Sequence, residues 1–289
     1  MIRILTDSSA DFTPSEAAHL NLEVVPLSVT FEDGSVYRDG LDLTPEEFYT
    51  RLAACNKLPT TSQPSPDCFL PHFEEAKAAG DVTIAILLSS ELSGTIQSAQ
   101  IAAQAAEYHD LLVVDSRNAT LGLKMLVQMA LDLRDQGASP AQIINALEDA
   151  LDRLRLLAVV DDLKYFRKGG RLPAAAAFAG AVMGIKPVVT LLDGKVSLAG
   201  KARGLPGAYV ALFKLMEEQG GLDPEMPYMV GYTGHRKGAE PIQQYLVNHM
   251  QIPAAPTPTH IGTVVGTHAG PGAAGIAFFA KRTDPVENN

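Results

Sequence analysis

The stretch VTIAILLSSELSGTIQSA, residues 82–99, decides how this chain folds, because it joins an apolar run to a cluster of hydroxyl side chains. The run at residues 82–88 has the length and composition of a buried strand. The hydroxyls follow it directly: Ser89, Ser90, Ser93, Thr95 and Ser98. No lysine stands among them to bind a phosphate, and no histidine lies beside a serine to activate it. The pattern predicts a strand whose carboxyl end opens on a pocket of neutral hydrogen-bond donors.

Similar apolar runs alternate with helical patterns along the rest of the chain. They are IRIL at 2–5, LEVVPLSV at 22–29, LLVVD at 111–115 and LAVVDD at 157–162. This alternation is typical of an α/β fold, and we predict that its sheets are mainly parallel.

Four helix starts are marked by a capping hydroxyl followed by proline. TPSE at Thr13, TPEE at Thr44 and SPAQ at Ser139 also place Glu or Gln three residues after the cap, which is the capping-box pattern. SPDCF at Ser65 has the cap and the proline alone. These signals locate helices and carry no functional information.

The composition of the chain changes near residues 155–160, where no linker rich in Pro, Gly or Ser occurs. We therefore predict two tightly packed α/β domains, residues 1–157 and 158–289, with a ligand site in the cleft between them. In the second domain, two apolar runs flank Asp193-Gly194, which predicts a β-hairpin.

Composition and charge exclude several classes of partner. Hydrophobic residues make up 46% and charged residues 19% of the chain, as in an ordinary globular protein. The net charge of −10 argues against a nucleic-acid partner. No stretch approaches the roughly 18 apolar residues that a membrane span requires. The N-terminal residues lack the layout of a signal peptide, and Cys55 and Cys68 fit a reducing compartment, so we predict a cytoplasmic location.

Most motifs that would indicate catalysis are absent or out of context. GPGAAG at 270–275 matches the dinucleotide-binding pattern, but it precedes a predicted strand instead of opening a helix. The histidines show no metal-ligand spacing, and neither a Walker loop nor a GxSxG elbow occurs. We therefore predict no metal and no cofactor. A serine-type ester or acyl-phosphate hydrolase with Ser93 as nucleophile and His268 as base stays an alternative, since triads are recognised by geometry and not by chain order.

Hydroxyl-rich segments recur wherever an apolar run ends. Besides the opening stretch they are TDSSAD at 6–11, PTTSQPSP at 59–66 and VDSRNATLG at 114–122. Each hydroxyl by itself fits a helix cap or a turn. Because the carboxyl ends of parallel strands open on one crevice, the hydroxyls together indicate an anion site.

An ordered set of motifs across nearly the whole chain resembles the DegV family of fatty-acid-binding proteins. The motifs are ILTDSSADF, YRDG, TSQPSP, SSELSGTIQSA, VVDSRNATLG, LKYFRKGGRL, KARG and GTHAGPGAAG. The resemblance implies two α/β domains that bury a long-chain fatty acid between them, and a lipid-binding protein that is not itself an enzyme. It also implies a partner in phospholipid metabolism: a fatty acid kinase that receives the acyl carboxylate and releases an acyl phosphate for the protein to carry.

The same resemblance implies roles for individual residues. Thr61 and Ser93 would hydrogen-bond the fatty-acid carboxylate, with His268 beside it. Secondary candidates for contacting or orienting the head group are Ser62, Gly94, Asp39 and Arg171. The basic cluster Lys164–Arg171 is assigned to kinase docking or to head-group electrostatics. In SRNATLG the family usually shows a serine where Thr120 stands here, and the hydroxyl is kept.

Elementary energetics agree with such a ligand. Each buried methylene contributes about 0.8 kcal/mol, so about fifteen give on the order of 12 kcal/mol before ordering costs. The alanine-rich segment 173–184 is a candidate tunnel wall, although it also fits an ordinary core helix. A buried carboxylate needs hydrogen-bond donors. Neutral hydroxyls supply them without a cation, which would lower the nucleophilicity of the carboxylate oxygen.

Overall fold

The computed structural model describes residues 1–172 and 184–282. The strands are β1 Ile2–Asp7, β2 Leu22–Val25, β3 Ser28–Thr30, β4 Val36–Arg38, β5 Thr60–Ser62, β6 Val82–Leu87, β7 Leu111–Asp115, β8 Leu154–Val159, β9 Ile185–Leu192, β10 Lys195–Arg203, β11 Tyr228–Tyr232, β12 Thr259–His260 and β13 Ala274–Phe279. The helices are α1 Pro14–His19, α2 Pro45–Ala54, α3 Pro66–Ala79, α4 Thr95–Ala105, α5 Thr120–Asp135, α6 Pro140–Arg153, α7 Lys164–Lys168, α8 Gly204–Glu218, α9 Glu240–Asn248 and α10 Thr263–Ala269. Of the alanine-rich segment 173–184, residues 173–183 lie outside the described ranges.

The first half of the chain forms a four-stranded parallel sheet, the first sheet, with strand order β2-β1-β6-β7. Successive residues of β6 point to opposite faces of it. Ala85 and Leu87 pack against α3 and α4, and Ile84 and Ile86 pack against α5. The strand predicted at residues 82–88 is therefore central and covered on both faces, as its uninterrupted apolar sequence requires.

The second half contains a six-stranded sheet, the second sheet, with strand order β10-β9-β8-β13-β11-β12. The α/β fold class is confirmed, but the prediction of mainly parallel sheets is wrong for this sheet: β11 and β12 are parallel, and the four other pairings are antiparallel. One cause is the predicted hairpin, in which Asp193 and Gly194 both have positive φ, 48° and 77°, and reverse the chain between β9 and β10. Strands covered on both faces have uninterrupted apolar sequences whichever way their neighbours run.

Helices cover both faces of the second sheet. Leu157, Val159 and Ile276 pack on one face with residues of α8 and α9. On the other face, Leu154 and Ala277 share a core with α5. Since α5 also packs against the first sheet, it lies between the two sheets. The predicted domain boundary at residue 157 falls inside β8, and it stays a prediction.

A small antiparallel sheet with strand order β4-β3-β5 completes the first half. The apolar run LEVVPLSV divides at Pro26-Leu27 into β2, which belongs to the first sheet, and β3, which is the centre of the small sheet. Pairing of β5 with β3 sets Thr61 opposite Val29 and so fixes the position of one predicted ligand-binding hydroxyl.

The three capping boxes predicted from the sequence are confirmed. Thr13, Thr44 and Ser139 each form a complete capping box at the start of α1, α2 and α6. Ser65 precedes α3 as predicted, but its side chain makes no cap bond.

The tip of the β9–β10 hairpin docks on the loop that follows β6. Ser89 Oγ donates a hydrogen bond to the Gly194 carbonyl at 2.9 Å, and Lys195 pairs with Glu91 at 3.2 Å. A Cβ atom on Gly194 would lie 2.4 Å from Ser89 Oγ. The hairpin therefore ties the second sheet to the hydroxyl cluster of the opening stretch, and glycine is required at its tip.

Gly194→Ala is expected to lower the free energy of unfolding by about 2–3 kcal/mol, because it adds a clash with Ser89 to the cost of a positive φ. Gly34→Ala is the matched control, since Gly34 has a φ of 83° and open space around its Cα. The control should lose only about 1 kcal/mol. Urea unfolding of both variants measures the difference, and equal losses would show that the hairpin tip does not depend on close approach.

Candidate functional site

A cavity of about 410 Å³ lies between the two halves of the chain. Its volume is in the range of small-molecule sites, ~300–1,000 Å³. The first half contributes Leu27, Thr61, Ser62, Leu88, Ser93 and Leu121 to its wall, and the second half contributes Ala158, Phe166, Val189, Gly231, Ile261 and His268. Most of these side chains are apolar, and the hydroxyls, His268 and the nearby Arg171 are the exceptions that require a chemical account.

The second sheet supplies a row of small residues along one side of this cavity. Ala158 of β8 stands opposite Gly275 of β13, and Gly275 stands opposite Gly231 of β11. Residues directly opposite each other in a sheet share a face, so three neighbouring strands present almost no side chain there. Leu156 and Val160 also line the cavity, as the two-residue period of a strand requires. The result is an apolar groove across the strands that narrows at Gly231, where the side chains of Leu121 and Ile261 pack against the backbone.

One group of polar lining residues lies where β5, the loop after β6 and α10 meet. Thr61 Oγ1 and His268 Nε2 are 2.8 Å apart, and Ser93 Oγ lies 2.9 Å from Thr95 Oγ1. Gln63 holds β5 to the Ser93 loop, because its side-chain amide exchanges two hydrogen bonds of 3.1 Å with the backbone of Gly94. Hydroxyls that are 32 positions apart in sequence are thereby brought to one end of the cavity.

Helix α10 carries His268. This residue lies in the last turn of the helix, which is capped by Gly270, whose φ is 73°. The start of the helix is bound to the first half of the chain. Asp39 accepts hydrogen bonds from the Thr263 backbone N–H at 3.0 Å and from its hydroxyl at 2.6 Å. A partner that is distant in sequence thus defines the helix, which is why local patterns did not predict it.

His268 is a neutral side chain at physiological pH. Burial lowers its pKa from 6.5 to about 4, and the charge of Arg171 lowers it further in the same direction. Its Nδ1 atom is buried without a hydrogen-bond partner and faces Gly169, where a Cβ atom would lie only 2.1 Å away. His268 therefore offers a hydrogen-bonding nitrogen, and not a positive charge, to a ligand beside Thr61.

Among the described residues that line the cavity, Arg171 is the one lysine or arginine. Its Nε donates to the Leu92 carbonyl at 3.1 Å and its Nη1 donates to the Gly169 carbonyl at 2.7 Å. These bonds hold the guanidinium against the protein backbone at the edge of the cavity. Arg171 thus contributes a positive potential while two of its nitrogens are already engaged.

Three carboxylates lie behind the cavity: Asp7 and Asp39, which are buried, and Asp11, which is partly buried. Burial raises the pKa of Asp7 to about 6 and that of Asp11 to about 7, and it also raises the pKa of Asp39. Asp11 accepts from the Gly262 N–H at 2.9 Å and from the Thr120 hydroxyl at 2.5 Å. Thr120 has a φ of 47°, an uncommon value for a β-branched residue, and this bond helps to hold it there. Asp11 and Asp39 therefore join the first half of the chain to the start of α10.

The stability of the protein should depend on the titration of Asp11. Between pH 3.8 and about 7 the folded chain keeps a proton on Asp11 that the unfolded chain releases. The free energy of unfolding that this group contributes is therefore fully present at low pH and is lost as the pH rises through 7. Relative to Asp11→Asn, the wild type should lose about 2–4 kcal/mol between pH 4 and pH 8. Denaturant unfolding at several pH values measures this, and a difference that does not change with pH would contradict it. Because Asp39 interacts electrostatically with Asp11, the comparison measures Asp11 together with that interaction.

The structure places the predicted site residues in two groups. Thr61, Ser62, Ser93, Arg171 and His268 line the cavity. Gly94 and Asp39 do not line it: the Gly94 backbone bonds Gln63, and Asp39 caps the start of α10. Sequence reasoning missed Gln63 and the row Ala158, Gly275 and Gly231. Gln63 lies two residues after Thr61 in the motif TSQPSP, and this position in the motif could have identified it as a candidate site residue.

The hydrolase alternative requires a hydrogen bond between a nucleophile and its base. In the structure Ser93 Oγ bonds Thr95 and His268 Nε2 bonds Thr61. His268 Nδ1 has no carboxylate to orient the ring. This arrangement favours binding over nucleophilic attack by Ser93.

The described residues offer neither a metal-ion cluster nor a membrane-spanning helix. Within residues 1–172 and 184–282, no three His, Cys, Asp or Glu side chains are grouped so as to hold a metal ion. No helix in the same ranges is long and apolar enough to span a membrane.

Comparison with known proteins identifies the family. Residues 1–281 match the model of the family described as "Uncharacterised protein, DegV family COG1307". The chain belongs to the DegV family. A DegV domain-containing protein of Caldanaerobacter subterraneus is 35% identical over 97% of this chain and 99% of its own length.

Solved structures of DegV proteins share the fold. A DegV family protein from Thermus thermophilus, described by its fatty acid binding, has a TM-score of 0.86 and 32% identity over 97% of this chain and 99% of that one. DegV from Bacillus subtilis, described as a fatty acid binding protein, has a TM-score of 0.83 and 30% identity with the same coverage. These similarities confirm the predicted family and the two-domain α/β class.

Proposed function

We propose that this protein binds a long-chain fatty acid in the cavity between its halves. The tail lies along the small-residue row Ala158, Gly275 and Gly231, and the carboxylate meets Thr61, Ser93 and His268. The observation that carries the proposal is an apolar cavity of about 410 Å³ that ends in hydroxyls and a neutral histidine. The similarity of this chain to the DegV proteins of T. thermophilus and B. subtilis, both described as binding fatty acids, supports the same ligand.

The energetics of the cavity favour this class of ligand over a small polar one. About fifteen methylenes transferred from water contribute on the order of 12 kcal/mol, which is enough to offset the cost of ordering a flexible chain. The carboxylate loses water on entry and needs donors in return. Thr61 and Ser93 each provide one hydroxyl, and Thr95 is the present partner of Ser93.

The head-group chemistry supports a second step, presentation of the carboxylate to a separate fatty acid kinase. In that step one carboxylate oxygen attacks the γ-phosphorus of ATP, the bond from that phosphorus to the β,γ-bridging oxygen breaks, and ADP leaves. Neutral donors preserve the negative charge that makes the oxygen a nucleophile, whereas a bidentate cation would reduce it. The binding protein then carries the acyl phosphate and is not itself the enzyme. The free cysteines Cys55 and Cys68 fit a cytoplasmic carrier.

Extraction and binding measurements test the proposal. Organic extracts of the purified protein should contain fatty acids of long chain length by mass spectrometry. The delipidated protein should bind palmitate more tightly than methyl palmitate, since the ester has the same tail and no charge for the hydroxyls to hold. A protein that carries no fatty acid and binds neither ligand would refute the proposal. Turnover of p-nitrophenyl palmitate that disappears in Ser93→Ala would support the hydrolase instead.

A further inference from the structure

The start of helix α10 lacks a capping side chain of its own, although its last turn carries His268. The helix comprises seven residues, Thr263–Ala269, and its N-cap residue is Gly262. A helix of this length is not stable by itself in water. The position of the His268 ring therefore depends on the groups that hold the start of α10.

Asp39 supplies the missing cap from the first half of the chain. Its carboxylate accepts hydrogen bonds from the Thr263 backbone N–H at 3.0 Å and from the Thr263 hydroxyl at 2.6 Å. Asp39 is only 4% exposed, and its own backbone N–H donates to the Leu27 carbonyl at 2.8 Å. The cap is therefore a fixed part of the fold. Asp11 bonds the preceding residue, Gly262, and so anchors the segment that leads into the helix.

The two ends of α10 are bound to the two outer strands of the small sheet. Asp39 directly follows β4, and Thr61, whose hydroxyl bonds His268, lies in β5. Both strands pair with β3, and α10 contacts β3 and β5. The five-residue step from Thr263 to His268 rises about 7.5 Å along a helix, and two strand spacings amount to about 9.6 Å. These lengths are comparable, so one short helix can bridge the sheet from Asp39 to Thr61.

We propose that Asp39 is a positioning residue for the carboxylate site: by capping α10 it sets the place of His268 beside Thr61. This inference rests on the proposed fatty-acid function and deepens it. His268 belongs to the second half of the sequence, but the small sheet of the first half holds its helix at both ends. The pair of Thr61 and His268 is consequently in place before the ligand arrives, and the ligand does not have to order it on binding.

Palmitate binding by the delipidated protein tests this role. Asp39→Ala removes both bonds to Thr263 and should weaken palmitate binding about tenfold or more, because the carboxylate loses a correctly placed partner when His268 moves. Asp39→Asn keeps an accepting oxygen at the same place, so its affinity should stay within about threefold of the wild type. Methyl palmitate carries no charge, and its affinity should differ among these proteins by less than about threefold.

The ring nitrogens of His268 give a readout that a loss of stability alone does not move. In protein with isotopically labelled histidine and no ligand, the nuclear magnetic resonance signal of Nε2 reports the bond to Thr61. His268→Gln identifies this signal among those of the seven histidines. The signal should shift in Asp39→Ala and keep its wild-type position in Asp39→Asn.

Ser139→Ala is the matched control, because it removes the cap of α6, a helix remote from the cavity lining. The loss of a cap costs comparable stability there, and palmitate affinity and the His268 signal should both stay as in the wild type. Wild-type palmitate affinity in Asp39→Ala would overturn the positioning role. An equal loss of affinity in Ser139→Ala, or an equal loss for acid and ester in Asp39→Ala, would overturn it as well.

A second variant keeps the test decisive if Asp39→Ala does not fold. Thr263→Val removes the hydroxyl that Asp39 accepts and keeps the backbone N–H bond, so palmitate binding should weaken about two- to fivefold and the His268 signal should shift. Unchanged values in this variant would contradict the proposal. If the wild type binds no palmitate at all, the fatty-acid function itself fails, while the His268 signal of the unliganded protein still decides the role of Asp39.

Discussion

Replacing Ala158 by phenylalanine is expected to abolish binding of palmitate while the protein still folds. Ala158 is the β8 member of the small-residue row and is partly exposed to the cavity, whereas its neighbours Leu157 and Val159 are fully buried on the opposite face. A phenyl ring at this position fills the groove across the second sheet. If it keeps about five methylenes of the tail in water, the loss is about 4 kcal/mol, or roughly a thousandfold in Kd.

Titration of the delipidated variant with palmitate checks this expectation, and Ala158→Ser is the matched control. Serine keeps the small volume at the same position, so the control should bind palmitate within about threefold of the wild type. A shorter acid such as octanoate should discriminate less between wild type and Ala158→Phe, because less of its tail reaches the ring. If Ala158→Phe binds palmitate as the wild type does, the tail does not run along this row.

Local sequence patterns predicted the parallel strands of the first sheet. They did not predict the strand directions of the second sheet. The apolar run at residues 82–88 with its hydroxyl-rich end predicted a buried strand beside a polar site, since both signals are local. The strands of the second sheet have the same apolar character, and their direction depends on which strand each one meets. The hairpin at Asp193-Gly194 is a local signal for antiparallel pairing. It determines the pairing of β9 with β10 and says nothing about the other strands of the sheet.

The candidate site divides in the same way. Thr61, Ser93 and His268 came from the resemblance to the DegV family, and the structure places all three on the cavity. The small-residue row was not predictable, because Ala158, Gly231 and Gly275 are separated by more than 40 positions each and meet only through strand register. Helix α10 was missed for a related reason, since Asp39 and Asp11, which hold its start, lie more than 200 residues earlier.

The second large effect is expected at the head group, where Thr61→Val should weaken palmitate binding about 10–100-fold. Valine has nearly the shape of threonine, so the change removes the hydroxyl and little else. A hydrogen bond to a charged group contributes about 1.5–3 kcal/mol, and its loss leaves the carboxylate one donor short. His268 also loses its partner at Nε2, while its Nδ1 is already unpaired, so the ring has no bond left to fix its orientation.

Thr60→Val is the matched control, because Thr60 is the exposed neighbour of Thr61 on β5 and points to the opposite face of the small sheet. Its palmitate affinity should equal that of the wild type. Methyl palmitate gives a second, internal comparison: with no charge to satisfy, its affinity should differ by less than about threefold between wild type and Thr61→Val. An equal loss for acid and ester would mean that Thr61 shapes the cavity instead of holding the carboxylate, and unchanged binding of both would place the head group elsewhere.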